Sequence, residues 1–174
     1  MQARCCVLLL VALQVVAVLA ARAKRAPPQQ CSEGFTGIGF GMCVSGRSLV
    51  QHSFDAQSWA TTNELCKADR ARLVSLDTPE KLEALSEYLH SNPDLNSLYM
   101  WVGATRDATG WRWLNSAPLP VDSNMWLPKE PNPDETYVHA TIVARSLNNQ
   151  GRHYLSAATA DSLAVGYVCE ETGV

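Results

Sequence analysis

The hydrophobic pattern changes register several times along the chain, and each change marks an element. Val7 to Ala20 is an apolar run broken only by Gln14, preceded by Arg4 and followed by the small-x-small triplet Ala21-Arg22-Ala23. This is the pattern of a secretory signal peptide over residues 1–23, with cleavage between Ala20 and Ala23. A membrane-spanning helix needs about 20 apolar residues, and the run stops short of that. Residues 24–30, with Pro27-Pro28, read as a short disordered linker. One domain is expected over residues 31–171.

Within the domain, Phe35 to Val44 is Gly-rich with interspersed apolar residues, consistent with an edge hairpin. Asp55 to Arg70 has helical spacing, with Trp59, Thr62 or Asn63, and Cys66 on one face. Asp77 is placed as the cap of a second helix, since Glu80 stands at the reciprocal capping position. Leu82, Leu85 and Leu89 then share a face, and the helix must stop before Pro93. Tyr99–Ala104, Trp111–Leu114, Thr136–Arg145 and Ala164–Cys169 read as strands. The pattern thus runs strand, helix, helix, then strands and long loops.

Between Leu114 and Thr136 the periodicity disappears. Pro118, Pro120, Pro128, Pro131 and Pro133 punctuate a long segment that also carries Met125 and Trp126. A loop this long inside a compact domain is usually functional or disordered, and the large apolar residues favour order. Its centre, Lys129-Glu130-Pro131-Asn132-Pro133-Asp134-Glu135, gathers hard oxygen donors of the kind calcium prefers. An ordinary solvated acidic loop has the same composition, so composition alone does not separate the two. Trp59, Trp101, Trp111 and Trp113 read as core residues; Trp126, in the loop, is ambiguous.

Charge and cysteines narrow the classes. Removing Arg4 and Arg22 with the signal peptide takes the net charge from −3 to −5, and Lys and Arg are scattered. A nucleic-acid footprint is absent. Cys31, Cys43, Cys66 and Cys169 remain, an even count that suggests two disulfides with three connectivities in an oxidising compartment. No pair has zinc-ligand spacing. No nucleophile elbow or phosphate loop is present, so an enzyme is not expected.

The motifs together resemble a known family. Glu130-Pro131-Asn132 is similar to the sugar-specificity tripeptide of C-type lectin domains. Tyr99-Met100-Trp101-Val102-Gly103-Ala104 resembles the family's core strand, Gly110-Trp111-Arg112-Trp113 its Trp-x-Trp strand, and Tyr167-Val168-Cys169-Glu170 its terminal motif. They occur in family order, and the resemblance spans Cys31 to Glu171. It implies the long form of an α+β fold, two helices flanking antiparallel sheets with a long ligand-binding loop, stapled by Cys66–Cys169 and Cys31–Cys43, of the secreted, single-domain, invertebrate type. The family's further bridge is missing: Tyr137 stands at one position, and Thr159 or Asp161 near the other. Its loss implies a looser binding loop.

The resemblance implies a secreted carbohydrate-binding protein that recognises mannose-type glycans, including microbial surfaces, in innate immunity. Glu130, Asn132 and Glu135 are its expected calcium and sugar ligands, in a surface loop where substitution should cost little stability. One departure argues otherwise. The Trp-Asn-Asp motif that supplies further calcium ligands is replaced by Tyr154-Leu155-Ser156-Ala157-Ala158. That change favours a second reading, a calcium-independent protein-interaction module on the same fold.

Overall fold

The computed structural model describes residues 30–50, 56–96, 98–147 and 150–173. The expected signal peptide, the linker as far as Gln29, and Asp55 lie outside the described residues. The elements are β1 (Thr36–Gly37), β2 (Cys43–Ser48), α1 (Trp59–Ala68), β3 (Ala71–Leu73), α2 (Pro79–His90) and the short α3 (Pro93–Asn96). They continue with β4 (Met100–Asp107), β5 (Gly110–Trp113), β6 (Tyr137–Leu147), β7 (Gln150–Thr159) and β8 (Gly166–Glu171). The strands are ordered β1-β2-β8-β4-β6-β7, with β3 on β8 and β5 on β4. All pairings are antiparallel except β4 with β8, which run parallel at Met100–Gly166 and Trp101–Tyr167. No helix among the described residues is long and apolar enough to cross a membrane.

The first helix begins where Ser58 accepts the Thr61 amide. Thr62, Asn63 and Cys66 form its buried face. The second buries Leu82, Leu85 and Leu89 completely, so the predicted apolar stripe is the packed one. Its cap differs from the expectation. Thr78, not Asp77, is the N-cap and accepts the Lys81 amide, followed by Pro79 at a first-turn position where a missing N–H costs nothing. Asp77 instead bridges Lys81 at 2.6 Å and accepts from Asn115 Nδ2 at 2.9 Å. Burial alone would raise its pKa, but these partners hold it below the usual carboxylate value.

Met100 to Ala104 are all buried, as befits a strand flanked by both β6 and β8. Gly103 is required there. A Cβ on it would stand 2.4 Å from the Leu73 carbonyl oxygen, while its amide donates to the Val74 carbonyl at 2.8 Å. Both disulfides implied by the family resemblance form, Cys31–Cys43 and Cys66–Cys169. The second ties α1 to the closing strand inside a buried cluster with Leu73 and Trp101.

Strand β7 carries no clean alternation, because Leu155, Ser156, Ala157 and Ala158 are all buried, and the sequence pattern did not single it out as a strand. Its pairing with β6 places Tyr137 opposite Thr159. Those are positions where the family's additional bridge was expected, and here a backbone ladder joins them. The Thr159 hydroxyl also donates to Asp161 at 2.5 Å.

Candidate functional site

The loop between β5 and β6 is anchored by its apolar residues. Met125 and Trp126 are buried, and the Trp126 ring meets Trp111 edge to face at 5.0 Å. Its indole N–H donates to the Pro120 carbonyl at 3.0 Å. Trp126 is therefore core, and no exposed stacking platform. The loop then runs beside the free edge of β7: the Leu155 amide donates to the Met125 carbonyl at 2.8 Å, and the Leu127 amide to the Leu155 carbonyl at 2.9 Å.

Two residues further along that edge, Glu130 takes over the pairing. Its Oε2 accepts the Ala157 amide at 3.1 Å and the Asn132 amide at 2.9 Å, and its Oε1 accepts from Ser156 Oγ at 3.4 Å. The carboxylate thus occupies the position a strand carbonyl would fill. An edge amide buried without a partner costs about 1–3 kcal/mol, which gives this contact structural weight. The peptide bond between Glu130 and Pro131 is cis.

The same side-chain-to-amide motif repeats every second residue. Asn132 Oδ1 accepts the Asp134 amide at 3.0 Å, and Asp134 Oδ1 accepts the Thr136 amide at 2.9 Å and its hydroxyl at 2.8 Å. Short polar side chains commonly close turns this way. Hydrogen bonds from Thr136, helped by the nearby Arg106 charge, hold Asp134 below the usual carboxylate range. Arg106 Nη1 donates to the carbonyls of Pro133 at 3.2 Å and Asp134 at 2.9 Å.

Glu130 and Asn132 come together, the Asn132 amide on the Glu130 carboxylate, whereas Glu135 makes no hydrogen bond to either. It is exposed and lines a separate depression of about 410 Å³ with Arg106, Asp107, Ala108 and Val138. Calcium requires six to eight convergent oxygens. Here the oxygens of Glu130 and Asn132 accept main-chain amides, and the facing strand offers Ser156, Ala157 and Ala158 without a carboxylate or carboxamide. A guanidinium lies against the loop. Among the described residues, only Cys31, Cys43 and Glu171 bring three or more His, Cys, Asp or Glu ligand atoms within 4.8 Å, and those cysteines are bonded to each other. The donor set does not fit a calcium ion.

The residues missed from sequence are Ser156, Ala157 and Arg106. The first two carried a readable signal, since they fall where the family's ligands are replaced. Arg106 carried none, because it acts on carbonyls 27 and 28 residues away.

Among the described residues, a mixed sheet with three helices, two disulfides and a long anchored loop is the architecture of the C-type lectin class. The chain belongs to the C-type lectin domain family, whose model matches residues 55–171. The family comprises binding domains and not enzymes. Human killer cell lectin-like receptor subfamily G member 2 is 35% identical over 114 residues, 66% of this chain and 24% of the receptor. The chain thus spans about a quarter of that relative's length. The cow carbohydrate-recognition domain of CD23, solved with a GlcNAc2Man3 oligosaccharide, superposes with TM-score 0.62 at 20% identity, covering 84% of this chain and 98% of that one. The Ca2+-independent C-type lectin SPL-2 from Saxidomus purpuratus superposes with TM-score 0.63 at 15% identity, covering 84% and 96%.

Proposed function

We propose that the protein is an exported carbohydrate-recognition domain that works without bound calcium. One observation carries this reading: the Glu130 carboxylate is held by the amides of Asn132 and Ala157, where a calcium-bridged lectin needs it on the metal. Mannose-type selection through Glu130 and Asn132 depends on their sharing a metal. Without it, sugar contact falls to the exposed groups of the loop, with Glu135 and its depression foremost. Export rests on the signal-peptide pattern. A role against microbial surfaces in innate immunity rests on the family resemblance.

The test is a glycan array probed with calcium and with chelator, together with calcium titration of the domain by calorimetry and thermal unfolding. A ligand that binds only the native state raises the melting temperature with its concentration. We expect chelator-insensitive glycan binding and no melting shift at millimolar calcium. Chelator-sensitive binding with a calcium-dependent shift overturns the proposal. A second reading, a calcium-independent protein-interaction module on the same fold, is favoured by Ser156, Ala157 and Ala158 standing where the family's Trp-Asn-Asp ligands are expected. An array on which no glycan binds in either condition would select it.

A further inference from the structure

The β6–β7 ladder places Arg145 directly opposite Arg152. Directly paired residues of an antiparallel ladder project to the same face with Cβ atoms about 4.5–5.5 Å apart, and like charges so placed destabilise the pair. Both arginines are exposed. Neither has an acidic partner among the described residues, whereas Arg47, Arg72 and Arg112 each pair with one. The Arg152 guanidinium stands 5.2 Å from the centroid of the Tyr154 ring, on the same face, and this contact orients it. The opposite face at His153 is buried, with His153 Nε2 3.3 Å from the Asn96 carbonyl. The arginines therefore look outward, side by side and uncompensated, on a protein with a net negative charge.

We propose that Arg145 and Arg152 form an oxyanion clamp, separate from the long loop, that binds a sulfate group of an acidic glycan. Two guanidinium forks on paired strands match the oxygens of a tetrahedral anion, and guanidinium–oxyanion hydrogen bonds are short and strong. Bound anion also relieves the repulsion between the two charges. The clamp carries only two charges, on a chain whose Lys and Arg are otherwise scattered and whose net charge is negative. That suits one anionic group on a sugar better than a nucleic-acid backbone, which requires an extended positive surface. The site stands independently of the calcium-free reading, since it uses none of the loop residues.

The test is calorimetric binding of a sulfated oligosaccharide, its desulfated counterpart and a single-stranded DNA oligomer of equal charge to the folded domain. The expected result is binding of the sulfated sugar that is unaffected by chelator and weakens as salt rises. Arg145→Gln with Arg152→Gln should weaken it at least tenfold. The Lys67→Gln, Arg70→Gln double variant, with the same change in charge, should stay within twofold of the parent. Arg145→Lys with Arg152→Lys should fall between the two. The melting temperature of the Gln pair should equal or exceed that of the parent, since repulsion is removed. The proposal is overturned if the sulfated sugar does not bind, if the desulfated sugar or the DNA binds equally well, or if the Gln pair retains binding within twofold.

Discussion

The imidazoles of His90 and His153 meet edge to face, their centroids 5.2 Å apart, joining helix α2 to strand β7. His90 is fixed by a 2.7 Å hydrogen bond between its Nδ1 and the Ser86 carbonyl. Burial, reinforced by His90, holds His153 below the usual histidine pKa, against the opposing effect of the Asn96 carbonyl. His139, stacked on Trp59 at 4.5 Å with planes 5° apart, is lowered by burial too. A depressed histidine binds its proton less readily in the folded than in the unfolded chain. Its contribution is complete above the unfolded value of about 6.5 and is lost as pH falls below it. The melting temperature should therefore drop between about pH 7.5 and about pH 5 at fixed ionic strength, and His153→Gln should flatten part of that drop. A profile unchanged by the substitution would remove His153 as a cause.

Glu130 should behave as a structural residue. Replacing it with Ala leaves the Ala157 and Asn132 amides without their acceptor, and we expect a loss of about 1–3 kcal/mol in urea unfolding, with or without chelator. The two amide contacts argue against the expectation that a change at Glu130 costs little. Glu135→Ala, at an exposed position, should shift stability by less than about 0.5 kcal/mol.

Gly103→Ala tests the close approach of β4 to the chain after β3. The added methyl would meet the Leu73 carbonyl at 2.4 Å, and that neighbour is backbone. A cost of about 1–3 kcal/mol or more is expected from thermal and urea unfolding. Gly39→Ala, whose Cβ would meet nothing within 4 Å, is strained only by its φ of +88° and should cost less.

The two disulfides should contribute unequally. Cys66 and Cys169 are 103 residues apart, Cys31 and Cys43 only 12. In the chain-entropy model, the long closure is worth about 4.7 kcal/mol and the short one about 3 kcal/mol. The Cys66→Ser, Cys169→Ser pair should therefore be the more destabilised in parallel unfolding curves. Non-reducing mass spectrometry of the parent should find these two linkages and no others among the four cysteines.

Several features of the fold were legible because local and tertiary signals agreed. Leu82, Leu85 and Leu89 form one helical face and one buried stripe. The cap was misplaced by a residue because Asp77 and Thr78 are both good capping types. Pro79, which favours the first helical position, was the distinguishing signal. Strand β7 was not legible: covered on both faces from Leu155 to Ala158, with Ser and Ala there, it loses the period of two. The loop's donors were visible, but not what they accept from. Sequence shows that Glu130 is acidic; only the fold brings the Ala157 amide to it.

The start of the domain lies against its last strand. The Ser32 amide donates to Glu171 Oε2 at 3.3 Å, and β2 pairs with β8 along five residues. The polypeptide thus enters and leaves through a single doorway. Neighbours joined at either end would hang from the same edge, and a covalent link between the two ends would need only a few residues. New ends opened elsewhere on the surface would then leave every strand pairing intact, making the domain a natural candidate for circular permutation or for insertion as a unit into a host loop.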